Sequence, residues 1–237
     1  MFPLIYFSAK NSSTLRLGKT KFNGRAIRKA CVNGSSEFMS NVSMSTVGML
    51  YNMQLMNYAG ENGVAAYGVM MYVSMIFSGA FIGYSIGTAP VVGFHYGAQN
   101  RRELRSILKK SLVLIGCFAI LMVILSELSA VPLVNIFVGY DADLTELTVF
   151  GFRIFALSFL LMGFSVFGSG FFTALNDGLT SALISFLRTL VFQIASVLLL
   201  PLIFEIYGIW WSIVVAEVMS VVLTALFLKI KQKKNGY

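Results

Sequence analysis

Six apolar stretches, each longer than the about 20 residues a helix needs to cross a bilayer, leave this chain few ways to fold. They run over roughly 33–58, 64–93, 111–137, 144–175, 179–204 and 207–230. Lipid offers no partners to backbone N–H and C=O groups, so segments of this length must satisfy themselves as helices. Charge content agrees: 12% of the residues are charged, against about 25% in soluble domains. The expected class is an all-α integral membrane protein with six transmembrane helices.

The position of the charges sets the expected orientation. Lys10, Arg16, Lys19, Lys21, Arg25, Arg28 and Lys29 precede the first span. Arg101, Arg102, Arg105, Lys109 and Lys110 lie between the second and third, and Lys229, Lys231, Lys233 and Lys234 end the last. All basic residues except Arg153 and Arg188 therefore fall on one side, while Glu61, Asp141, Asp143, Glu146 and Glu205 fall on the other. Basic loops mark the cytoplasmic side, which predicts both termini inside a cytoplasmic membrane. The net charge of +8 is explained by a membrane surface and requires no nucleic acid. The segment 101–110 repeats Arg101, Arg105 and Lys109 at helical spacing beside Leu104, Ile107 and Leu108, which predicts a short amphipathic helix lying on the inner face.

The first span carries a polar stripe. Glu37, Asn41, Ser45 and Asn52 share one side of a helix, apart from Phe38, Val42, Met49 and Met53. Such a stripe must face other helices or a water-filled cavity. Two further charges lie within spans: Arg188, about nine residues or roughly 14 Å into the fifth, and Glu217 near the middle of the sixth. Opposite charges on consecutive helices invite pairing, so Arg188 is expected to be neutralised by Glu217 or Glu37. Gln193 lies further along the Arg188 helix, and Glu127 is read as interfacial at the outer end of the third span.

Gly79, Gly83 and Gly87 form consecutive G-x-x-x-G steps, which predict a face packed closely against another helix. Gly163, Gly168 and Gly170 suggest a thin or bendable region in the fourth span, and Pro201 a distortion at the end of the fifth. Cys31, Cys117 and the single histidine, His95, give neither a disulfide framework nor a metal-ligand set, and His95 is expected to be a satisfied interfacial side chain. No phosphate-binding loop or nucleophile elbow is present, so the chain is read as not an enzyme.

Three runs resemble a known family. GYSIGTAPVVGFHYGAQNRRELRSILKKS, residues 83–111 with its Gly97-Ala98 pair, is similar to a helix end and following loop of multidrug and toxic compound extrusion (MATE) transporters. FFTALNDGLTSALISFLR, residues 171–188, resembles their loop between the tenth and eleventh helices, and GENGVAAYGV, residues 60–69, the start of the eighth. The resemblance implies one lobe, helices seven to twelve, of a twelve-helix, two-lobed transporter. In that reading residues 1–8 are the tail of a truncated helix, 9–32 a basic cytoplasmic inter-lobe loop, 33–230 the six-helix lobe and 231–237 a cytoplasmic tail. Several members carry an acidic residue deeper in helix seven, near Ser45 and Thr46 here, so Glu37 is not its equivalent.

The implied function is ion-coupled export of drugs or organic cations, driven by Na⁺ or H⁺ and requiring no cofactor. Glu37, Asn41, Asn52, Arg188, Gln193 and Glu217 are the expected cavity-lining or coupling residues. Expected partners are the bilayer, a small cationic substrate, and a missing N-terminal lobe or a second copy. The alternatives are a flippase for lipid-linked saccharides and a half-protein that only binds a partner.

Overall fold

The computed structural model describes residues 23–235, with the side chains of 33, 36, 37, 39, 40 and 233–235 left aside. The chain divides into two units, Met1–Cys31 and Val32–Tyr237. Of the first, only residues 23–31 are described. They are helical from Gly24, and the Asn23 side chain accepts a hydrogen bond from the Ala26 N–H at 3.2 Å. A helix thus begins inside the stretch expected to be a loop, because an asparagine caps it and no proline interrupts it. The expected helix tail at 1–8 lies outside the described residues.

All elements among the described residues are helical. They are α1 (Gly24–Gly97), α2 (Arg101–Val138), α3 (Ala142–Ala156), α4 (Phe159–Ala174), α5 (Gly178–Phe186), a π-helical turn (Leu187–Phe192), α6 (Gln193–Leu199) and α7 (Pro201–Asn235). Four stretches are long and apolar enough to cross a membrane, and α3 with α4, bent by 48°, makes a fifth. The first of them, Asn41–Gly97, breaks at Gly60, whose φ of 61° and ψ of −151° suit glycine alone. Divided there, the described chain supplies the six expected spans.

Burial follows helical spacing. In the first arm of α1 the buried strip is Ser43, Val47, Tyr51 and Leu55. In α2 it is Leu104, Ser111, Ile115, Ala119, Ser126, Ala130, Val134 and Val138. Aromatic rings fill the centre, with Phe77 stacked on Phe159 at 5.4 Å and Phe155 edge-on to Phe159 at 5.8 Å. Large apolar side chains also point outward, among them Ile76, Leu128, Ile136 and Ile203, while among the described residues sixteen buried polar side chains, nearly all Ser and Thr, join the apolar core. This is unlike a soluble protein and suits a lipid solvent.

Several expectations are corrected here. The segment 101–110 is not a separate surface helix. It forms the first turns of α2, with Leu104 buried in the common core and Ile107 and Leu108 packed on it, because its apolar face continues unbroken into the span. The face of Gly79, Gly83 and Gly87 is exposed, and a Cβ placed at any of the three meets nothing within 4 Å. Among the described residues no helix packs on it: missing side chains permit close approach without supplying a partner. The close approaches occur at Gly163, against Phe81 and Ile115, at Gly168 against Thr224, and at Gly170 against Ser85. The fourth span bends at Leu157–Ser158 rather than at its glycines: the Leu157 and Ser158 N–H groups bond three residues back, to Ile154 and Phe155, which tightens the turn. Pro201 lies where expected, at the end of the fifth span: the helical backbone continues through Leu200 and α7 breaks at Glu205, whose φ is 50° and ψ −132°.

Candidate functional site: a buried ion pair and its polar surroundings

α5, the π turn and α7 bring Arg188 and Glu217 together. The Arg188 Nε–H donates to both Glu217 carboxylate oxygens at 3.0 and 3.1 Å, and Nη2 donates to Oε1 at 2.7 Å. The Glu217 side chain is fully buried and that of Arg188 is 13% exposed. Arg188 is ten residues beyond the start of α5, about 15 Å at 1.5 Å rise per residue, so the pair lies deep within the span. It occupies the π turn, where the hydrogen-bond ladder widens by one residue and re-aims side chains, a feature often found at functional sites. Of the two partners expected for Arg188, Glu217 is the one found; the Glu37 side chain lies outside the described residues.

Next to this pair, the first arm of α1 docks on α7. The Tyr51 and Ser212 hydroxyls are 2.6 Å apart, Ser212 donates to the Ile209 carbonyl at 2.6 Å, and the Tyr51 ring stacks on Tyr67 at 5.0 Å with 3° between planes. Tyr51 thus faces inward, whereas Asn41, Ser45 and Asn52 are exposed on the adjoining side of the helix. The stripe is on the surface of the lobe and does not join the ion pair. Gln193 is half-buried one turn beyond Arg188.

A hydroxyl cluster links α4 to α5. Ser169 lies 2.9 Å from both Ser181 and Ser185, and Thr173 lies 2.7 Å from Ser181. At the basic end of the lobe, Asp177 accepts the Thr180 N–H as the cap of α5 and pairs with Lys231 at 3.2 Å. Burial works to raise the Asp177 pKa, but the bonds from Thr180 and Lys231 outweigh it and hold the carboxyl below its usual range. A carboxylate whose pKa is lower folded than unfolded stabilises fully above the unfolded value and loses that contribution as pH falls through the folded one. Lys231→Met should therefore cost up to about 1 kcal/mol near neutral pH. That difference should shrink as the carboxyl protonates in acid, measured by thermal unfolding of both proteins across pH.

The sequence did not reveal the π turn, the hydroxyl cluster or the Asp177–Lys231 pair. Nor did it pair Glu127, read there as interfacial, with Arg153, which lies 3.5 Å away with both side chains about half exposed. The half-buried His95 meets Phe94 edge-on, and among the described residues nothing bonds its Nδ1. Among the described residues no group of His, Cys, Asp and Glu could hold a metal ion.

Comparison with known proteins places this arrangement in context. The profile of the MatE family matches residues 38–199. The multidrug export protein MepA of Staphylococcus aureus is 22% identical over 219 residues, 92% of this chain and 48% of that protein. That of Staphylococcus haemolyticus is 24% identical over 230 residues, 96% of this chain and 50% of that protein. The chain thus spans about half the length of the curated relatives it matches. A crystal structure of MATE in the straight conformation superposes with a TM-score of 0.90 at 18% identity, covering 99% of this chain and 53% of that one. An outward-facing multidrug resistance MATE family transporter superposes with a TM-score of 0.88 at 20% identity, covering 99% and 53%. A profile match over more than half the chain, with the fold of one half of such transporters, shows that this multi-pass membrane protein belongs to the MatE family of multidrug and toxic compound extrusion transporters.

Proposed function

We propose that the chain is the C-terminal half of an ion-coupled antiporter that exports drugs or organic cations across the cytoplasmic membrane, with both ends of the chain on the cytoplasmic side. The buried Arg188–Glu217 pair is the observation that carries this reading. An ionised pair at membrane depth is costly to keep, and its retention inside an apolar bundle points to coupling chemistry rather than stability. Protonation of Glu217, or a cation drawn to its carboxylate, would release Arg188 and bias two arrangements of the lobe. The exposed stripe of Asn41 and Asn52, with Glu37 in line, and the half-buried Gln193 would then border a cavity completed by an N-terminal lobe or a second copy. The names of the relatives, multidrug export proteins, support the substrate class.

A lipid-linked saccharide flippase would need free cationic groups to hold a pyrophosphate. Among the described span residues, Arg153 and Arg188 are each paired with a carboxylate, which disfavours that reading.

The test is ethidium efflux from cells expressing this chain alone, or together with the N-terminal half of a complete family member. Efflux is expected only with both halves, and should fall when the Na⁺ and H⁺ gradients are collapsed. Glu37→Gln should weaken the dependence on those gradients. Efflux indifferent to both gradients would overturn ion coupling, and no efflux in either arrangement would favour a half-protein that only binds a partner.

A further inference from the structure

Two ion pairs bracket the antiparallel packing of α5 on α7: Arg188–Glu217 deep in the span, and Asp177–Lys231 at its basic end. Buried hydroxyl side chains lie between them, beside apolar ones such as Ile184. On α7, Ser220 and Thr224 follow Glu217 at three and seven residues and so share its face, which continues seven residues later to Lys231. Between Asp177 and Arg188 lie Ser181 and Ser185, tied to Ser169 of α4, and Ser165 lies one turn along α4 from Ser169.

The hydrogen bonding of this seam is incomplete. Ser165 and Ser220 are fully buried and Thr224 is 2% exposed, yet none of the three hydroxyls has a partner. Thr173 on α4 and Thr189 in the π turn show the alternative they decline. Thr173 and Thr189 donate to the carbonyls four residues back, at 3.2 and 2.6 Å. Two unpartnered hydroxyls on the face of α7 that carries Glu217 and Lys231, and a third on α4 beside the Ser169 cluster, call for a shared partner that both donates and accepts, as water does.

We propose that α4, α5 and α7 enclose a line of bound water molecules, coordinated by Ser165, Ser220 and Thr224, that joins the Asp177–Lys231 pair to the Arg188–Glu217 pair. The line connects the buried Glu217 carboxylate with solvent at the basic end of the lobe, without opening the surface that carries Asn41 and Asn52. The inference is independent of any assigned substrate, because it concerns hydration alone.

Water-edited solid-state NMR on the full-length, ¹³C-labelled protein in lipid bilayers tests it, using no variant that could fail to fold. Magnetisation should pass from water to the Cβ atoms of Ser165, Ser220 and Thr224 at least about threefold faster than to those of Ile184 and Val197, which are fully buried and apolar. Transfer to all three residues supports the line. Transfer at the rate of the apolar core, or transfer to Thr224 alone, overturns it.

Discussion

Replacing Glu217 with alanine should lower the stability of the protein by about 3 to 5 kcal/mol, the largest effect expected of any single substitution here. The reason is what remains behind. Arg188 is 13% exposed and donates three hydrogen bonds to one carboxylate, so the variant leaves a buried guanidinium with no counter-charge. A guanidinium stays charged at any accessible pH, whereas a lone buried carboxyl can be held as the neutral acid. Glu217→Ala should therefore be more damaging than Arg188→Met. Combining Arg188→Met with Glu217→Leu should recover most of the loss, because an apolar pair of similar volume avoids desolvating two charges. Thermal unfolding of the detergent-purified proteins checks the order. A Glu217→Ala protein as stable as the parent would mean that Arg188 reaches water by another path, and would remove the pair from the coupling argument.

The second large effect separates two sets of glycines by one methyl group. At Gly163 an added Cβ would fall 2.6 Å from carbons of the Phe81 ring and 2.8 Å from Ile115. Phe81 and Ile115 are themselves buried, so neither can swing away. Gly163→Ala should cost about 1 to 3 kcal/mol despite its better helix propensity. Gly83→Ala meets open space and should be neutral, or stabilise this half by up to about 1 kcal/mol. If a second lobe covers the Gly79, Gly83 and Gly87 face, the same Gly83→Ala change should impair efflux in the assembled transporter while leaving the stability of this half intact. Equal losses of stability at positions 163 and 83 would refute the packing described for α4.

The contrast between these glycines shows what the residues alone made legible. Six spans could be read directly, because lipid forces a long apolar run to be helical. The Arg188–Glu217 pair was legible for a related reason: each charge would be too costly alone. By contrast, G-x-x-x-G spacing identifies a bare helix face, and whether anything lies against it depends on tertiary packing that no spacing encodes. Gly163 and Gly168 carry no tighter pattern than Gly83, yet Phe81 and Thr224 come from distant segments to fill the space they leave. The π turn at Leu187–Phe192 contains neither glycine nor proline, so nothing in its composition marked it. Lys231 read only as one of several tail lysines until α7 carried it to Asp177.

The unbroken course of α2 has a mechanical consequence. At 38 residues it is about 57 Å long, more than the full thickness of a bilayer with its headgroups. Arg101, Arg102, Arg105, Lys109 and Lys110 are thus carried on the same helix as Ser126 and Ala130, and its one interior proline, Pro132, comes only near the far end. A torque applied at the charged end, by anionic headgroups or by a docking partner, tilts the helix by the same angle as far as Pro132. Sensing at one surface and displacement at the other become a single motion, with the α3 and α4 helices packed along the rod carried with it.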